Sequence, residues 1–207
     1  MMKGKFITFE GTEGSGKTSV IKEVKKHYED LGYQVMVTRE PGGIGISEKI
    51  RDILLNKENT EMDSRTEALL FAASRRQHLV EKIKPALENG MIVLCDRFVD
   101  SSLVYQGYAR NIGIEEVYNI NYFAIEGTLP DLTIFVNVRP EVGLKRVFQT
   151  PNREVNRLDL EDMSFHKMIY QGYLELMSKY PRIQMVNGEQ EISKVTLEAI
   201  QLIDKIL

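Results

Sequence analysis

Five short apolar runs punctuate the chain: Lys5–Phe9, Gln34–Thr38, Met91–Cys95, Leu132–Val138 and Ile183–Val186. Most are continuous rather than alternating, the pattern of strands covered on both faces, as in a parallel sheet. Segments of helical spacing lie between them. One opens around Val20–His27. The longest runs from Ser64 to Glu88, where Leu69, Ala72, Ala73, Leu79, Val80, Ile83 and Leu87 make an apolar stripe. Asn89-Gly90 ends it. Ile192–Leu207 reads as a terminal amphipathic helix. The alternation predicts an α/β fold: a five-stranded parallel sheet with helices on both faces. In such sheets ligands bind beyond the carboxyl ends of the strands. Function is therefore to be sought just after each apolar run.

After the first run comes Gly11-Thr12-Glu13-Gly14-Ser15-Gly16-Lys17-Thr18. This fits G-x-x-x-x-G-K-[ST], and strand before with helix after is the context that confirms it. Glycines let successive N–H groups turn toward one phosphate, and the helix start adds partial positive charge. Lys17 would reach the outer phosphates and the Thr18 hydroxyl would ligate Mg²⁺. The loop implies a bound nucleoside triphosphate and says nothing of what receives its phosphate.

Arg39-Glu40-Pro41-Gly42-Gly43 follows the second run, Asp96-Arg97-Phe98 the third, and Arg139-Pro140-Glu141 the fourth. Arginine suits bidentate phosphate recognition, though any one of the three could equally be a surface ion pair. Asp96 stands where P-loop enzymes hold an aspartate near Mg²⁺. In an extended chain Arg97 would point the other way. Phe71 and Arg75, four apart, share a helix face and could clamp a nucleobase, or Phe71 could be plain core. Ser101 to Tyr108 is dense in hydroxyl and amide groups. It suits a small polar ligand or a capped helix start. Thr150–Asp162 is a polar stretch carrying Arg153 and Arg157. It fits a mobile lid over a triphosphate, or a solvated loop.

Composition narrows the picture. A chain of 207 residues, 43% hydrophobic, fits one domain with a real core. The net charge of −3 argues against a broad nucleic-acid surface. The single cysteine, Cys95, excludes an internal disulfide and reads as a packing residue in a reducing, cytoplasmic setting. No apolar run is long enough to span a membrane, and no leader is expected before the first strand. His27, His78 and His166 have no evident partners and read as surface residues.

The motifs together resemble bacterial thymidylate kinases, which phosphorylate dTMP with ATP. Its carriers are ITFEGTEGSGKTS (7–19), TREPGG (38–43), EALLFAASRRQH (67–78), CDRF (95–98), DSSLVYQGYAR (100–110), PDLTIFVNV (130–138) and NRLD (156–159), nearly the whole chain. The resemblance implies a P-loop nucleoside monophosphate kinase fold, a single kinase domain over 1–207 with a small mobile lid at about 149–160, and a homodimer. It implies that Phe71 stacks on thymine, that Arg75 bonds its carbonyl, and that Ser102 and Gln106 are further base contacts. Tyr105 matches the residue beside the sugar 2′ position, and Glu13 the acceptor for the 3′-hydroxyl. Arg39, Arg51 and Arg97 resemble the arginines around the dTMP phosphate, with Glu40 in the same loop, and Arg146 the residue packing on adenine. Positions 12–15 lack the basic residue that some relatives carry in the P-loop, so the catalytic charge is expected from Arg153 and Arg157. These should contribute little to dTMP affinity and much to turnover. Phe98, Gly45 and Ser47 depart from the family pattern. Gly45 is expected to loosen its loop.

Overall fold

In the computed structural model, which describes residues 4–149 and 156–207, the apolar runs form one parallel sheet. Its strands are β1 (Lys5–Glu10), β2 (Val35–Arg39), β3 (Ile92–Asp96), β4 (Leu132–Asn137) and β5 (Ile183–Asn187), in the order β2-β3-β1-β4-β5. The central strand pairs Phe9 with both Asp96 of β3 and Ile134 of β4. Glu10, Arg39, Asp96 and Asn137 therefore all end at one edge, and the P-loop leaves from its middle.

Both sheet faces are covered, which is why the strands are continuously apolar. On one face Ile7, Phe9, Leu94, Ile134 and Val136 pack against α1 (Lys17–Asp30) and α9 (Ile192–Ile203) through Val20, Val24, Val195 and Ala199. On the other, Phe6, Val93, Cys95 and Phe135 meet Leu79, Ile83, Leu103, Ile169, Tyr173 and Leu176. Cys95 is a buried packing residue here. The other α-helices among the described residues are α2 (Gly45–Leu55), α3 (Ser64–His78), α4 (Lys84–Glu88), α5 (Val99–Ser102), α6 (Ile114–Ile125), α7 (Pro140–Gln149) and α8 (Met163–Lys179), and α5 runs on into a π-helical segment, Leu103–Ala109. No helix among the described residues is long and apolar enough to cross a membrane.

Several details differ from the sequence pattern. The 64–88 helix is interrupted by a π-helical turn at Leu79–Ile83, just before Pro85. A proline ring collides with the carbonyl four residues back and removes a donor, and a widened turn absorbs both. α9 stops at Ile203, four residues short of the chain end. Gly45 and Ser47 do not loosen a loop: they lie in the first turn of α2, where buried Ser47 Oγ donates to the Ser74 carbonyl at 2.8 Å and docks α2 on α3. His78 and His166 are buried rather than on the surface. His78 is buried because both ring nitrogens are engaged, by Thr38 Oγ1 at 2.7 Å and Glu40 Oε1 at 2.9 Å.

Beneath the sheet edge lies a buried polar clasp. The Arg182 guanidinium makes two 2.6 Å bonds to Asp100, whose Oδ2 also accepts from Thr133 Oγ1 at 2.9 Å. Thr8 of β1 continues the chain of bonds to Thr133 at 2.9 Å. The clasp ties α5 to the central strands and to the turn before β5.

Candidate active site at the carboxyl edge of the sheet

A cavity of about 650 Å³ opens where the strands end. Six cations line it: Lys17, Arg39, Arg51, Arg75, Arg97 and Arg146, together with Glu13, Glu40 and Asp96. Phe71, Ser102, Tyr105 and Gln106 line it too. Of the arginines placed after the strands, Arg39 and Arg97 face the cavity. Arg139 instead pairs with Glu189 at 2.7 Å on the surface.

The P-loop forms one end. Gly14 has φ +69, and a Cβ there would lie 2.1 Å from the Gly143 carbonyl of α7. A Cβ on Gly143 would in turn lie 2.2 Å from the Glu13 carbonyl. Loop and helix thus touch backbone to backbone, along with Thr12 Oγ1 donating to the Val138 carbonyl at 3.1 Å. Lys17 folds over the loop, donating to the Gly11 and Thr12 carbonyls at 3.3 and 3.1 Å. Burial pulls its ammonium down to about 8, with the Arg97 charge adding to the effect. Thr18 Oγ1 donates to Asp96 Oδ2 at 2.9 Å. A hydroxyl and one carboxylate beside a phosphate cradle are the donor set that Mg²⁺ favours, since it keeps several waters and takes few protein ligands. Among the described residues no cluster of three or more His, Cys, Asp or Glu suits a metal cage.

Arg97 stands between the two halves of the cavity. It does not continue the extended chain: its φ of +70 is left-handed, a strained conformation for a residue with a side chain. That turn sends the guanidinium to Glu13 Oε1 at 2.7 Å, to Ser101 Oγ at 3.1 Å and to Tyr173 OH at 3.2 Å. Its Cζ lies 5.0 Å from the Tyr105 ring centroid, and Tyr105 OH also donates to Glu13 Oε1 at 2.9 Å.

Behind Arg97 sits Glu10, which the sequence pattern did not single out. It is fully buried at the end of β1. Its carboxylate accepts from Phe98 N at 2.7 Å, Ser101 Oγ at 2.5 Å and Tyr173 OH at 2.9 Å. The same hydroxyls hold Arg97, so Glu10 positions the cation through them. Burial, reinforced by the neighbouring Asp100 carboxylate, pushes Glu10 up to about 7 from its ordinary 4.5. A carboxyl raised on folding contributes stability that is full below 4.5 and lost as pH rises through about 7. Glu10→Gln cannot ionise. Its melting temperature should therefore fall less than the parent's between these two pH values, as differential scanning calorimetry would show. Parallel pH profiles for the two proteins would remove Glu10 as the titrating group.

The other end is the candidate acceptor pocket. Arg75 is buried, with Nε on Glu40 Oε2 at 2.7 Å, Nη2 on the Phe98 carbonyl at 3.0 Å and Nη1 on Ser102 Oγ at 3.0 Å and on Asn121 Oδ1. Four of its five N–H groups are engaged, leaving one on Nη2. Glu40 in turn is held by His78, so a His78–Glu40–Arg75 relay fixes the guanidinium. Glu40 touches the cavity chiefly as this support. Arg39 is paired with Glu48 through two bonds of 2.7 and 3.1 Å. Arg51 donates to the Pro41 carbonyl at 2.9 Å, and Arg146 to that of Gly188 at 3.1 Å. Arg157 does not line the cavity: it binds the Glu67 carboxylate and the Leu54 carbonyl. Arg153 lies outside the described residues.

Comparison with known proteins agrees with this layout. The family model described as thymidylate kinase matches residues 9–199. A thymidylate kinase of Clostridium novyi (strain NT) is 58% identical over 94% of this chain and 96% of its own length. One of Bacillus mycoides (strain KBAB4) is 56% identical over the full length of both. The crystal structure of thymidylate kinase from Ehrlichia chaffeensis superposes with a TM-score of 0.80 at 32% identity, covering 98% of this chain and 99% of that one. The phosphate loop at the sheet edge, the arginine bridging two half-pockets and these full-length relatives converge: this chain belongs to the thymidylate kinase family.

Proposed function

We propose that the chain transfers the γ-phosphoryl group of ATP to dTMP, giving dTDP. The observation that carries this reading is Arg97, held at the junction between a P-loop and a base-sized pocket. ATP would lie along the P-loop, with Lys17 leaving the loop carbonyls for its outer phosphates and Arg146 against the adenine. Thr18 and Asp96 would hold Mg²⁺, which supplies charge neutralisation on the phosphates when bound. The acceptor is already an anionic oxygen, so no strong general base is needed, and catalysis is positioning plus electrostatics. Arg39 and Arg51 would take the dTMP phosphate, and Glu13 the sugar 3′-hydroxyl. Phe71 would stack on the base while the remaining Arg75 N–H donates to the C4 carbonyl. A donor there rejects cytosine's amino group. Uracil differs only by one methyl, worth ~1–3 kcal/mol.

Around this centre we infer a single domain with a lid at about 149–160. Arg153 carries the lid's catalytic charge. Arg157, anchored on Glu67, holds the lid's foot. The exposed Leu69, Tyr122 and Phe123 on α3 and α6 suit a homodimer face, and the single buried thiol suits the cytoplasm. A coupled assay with ATP and Mg²⁺ over dTMP, thymidine, dUMP, dCMP and dGMP tests the reading. It should give dTMP the highest kcat/KM, with thymidine inert. Turnover of thymidine but not dTMP would overturn it.

A further inference from the structure

Gln106 and Glu67 are each 1% exposed. Gln106 Nε2 donates to Glu67 Oε1 at 2.8 Å. The other carboxylate oxygen, Oε2, takes the Arg157 guanidinium and, at 3.5 Å, Arg110, which also binds Glu161. Two guanidiniums on one oxygen keep Glu67 an acceptor at both ends, because an ionised carboxylate has no hydrogen to give. A primary amide beside it has one allowed orientation, with NH₂ toward Glu67 and the carbonyl oxygen away. Gln106 lines the acceptor cavity and Glu67 does not.

We propose that Glu67 is a positioning residue for base selection: by capturing the Gln106 NH₂ it turns the amide oxygen toward the substrate as a fixed hydrogen-bond acceptor. This rests on the reading of Gln106 as a base contact. The N3 position of thymine carries a hydrogen and satisfies such an acceptor. N3 of cytosine is a lone pair and opposes it. The device thus reads the N3 edge, next to the carbonyl read by Arg75. The same carboxylate also holds Arg157, through the oxygen opposite Gln106.

The isosteric change Glu67→Gln makes a sharp test. Arg157 and Arg110 still demand an oxygen, so residue 67 would present its own NH₂ to Gln106. The Gln106 amide must then reverse and offer a donor to the cavity. The probes are dTMP and 5-methyl-dCMP, which present opposite polarity at N3, compared by kcat/KM in the full chain with ATP and Mg²⁺. Their difference at C4 faces Arg75 in parent and variant alike. In Glu67→Gln the preference for dTMP over 5-methyl-dCMP should fall by about tenfold, the ratio for one hydrogen bond. Damage that is merely structural lowers both acceptors together and leaves the ratio in place. If Glu67→Gln does not fold, the pair Glu67→Leu with Arg157→Met removes both buried charges and should also lower the preference.

Gln106→Ala separates the two claims. A fall of the preference in Gln106→Ala with its full retention in the folded Glu67 variant would overturn the role of Glu67 alone. Full retention in Gln106→Ala would overturn the reading of Gln106 and this proposal with it.

Discussion

Arg97→Met is expected to lower kcat/KM for dTMP by on the order of 10²–10³-fold, the usual loss when one preorganised donor to transition-state charge is removed. The fold should persist. Arg97 and its partner Glu13 are both part-exposed at the cavity wall, at 15% and 13%, so the abandoned carboxylate can be solvated. Methionine inherits the same left-handed backbone at comparable strain. The loss should fall more on kcat than on KM if Arg97 acts as proposed, on charge that develops in transfer rather than on ground-state binding. Arg97→Lys should recover little. A single ammonium cannot reach Glu13, Ser101 and Tyr173 together with the planar fork that arginine uses. Steady-state kinetics beside a melting curve checks this, and a drop of less than tenfold with an unchanged melt would remove Arg97 from the reacting centre.

Arg182→Met should show the largest effect on stability. Asp100 is fully buried and its two oxygens depend on Arg182 and Thr133. Removing the cation strands a charge in the interior, which costs about 3–5 kcal/mol. For a chain of this size that lowers the melting temperature by on the order of ten degrees. Asp100→Asn placed on the same background should restore much of it, since the amide is uncharged and still accepts from Thr133. The contrast between single and double variants in urea unfolding distinguishes a stranded charge from simple loss of packing. Equal instability in both would favour packing.

The sheet was legible because its strands are covered on both faces, so they appear as unbroken apolar runs that need no alternation to be found. The P-loop was legible because backbone geometry forces its glycines. Phe71 and Arg75 could be paired by helical spacing alone. What escaped was set by tertiary partners. The left-handed turn at Arg97 reverses the direction expected of its side chain, and no local residue signals it. Glu10 looks like the ordinary end of a strand until Ser101 and Tyr173, 91 and 163 residues away, close on it. His78 reads as a surface residue because its burial rests on two hydrogen bonds, to Thr38 and Glu40 at the end of distant β2, rather than on an apolar stripe. Arg157 read as a catalytic candidate on charge and position. Its tie to Glu67, 90 residues away, could not be seen from the loop's composition.

The mutual contact of Gly14 and Gly143 restricts which sequences lie within reach of this one. Position 14 has no room for even a methyl group while α7 keeps its place. An arginine introduced at 14 would have to displace α7, so the loop cannot gain a cation there by a single change. Loop and helix can therefore vary at this contact only together.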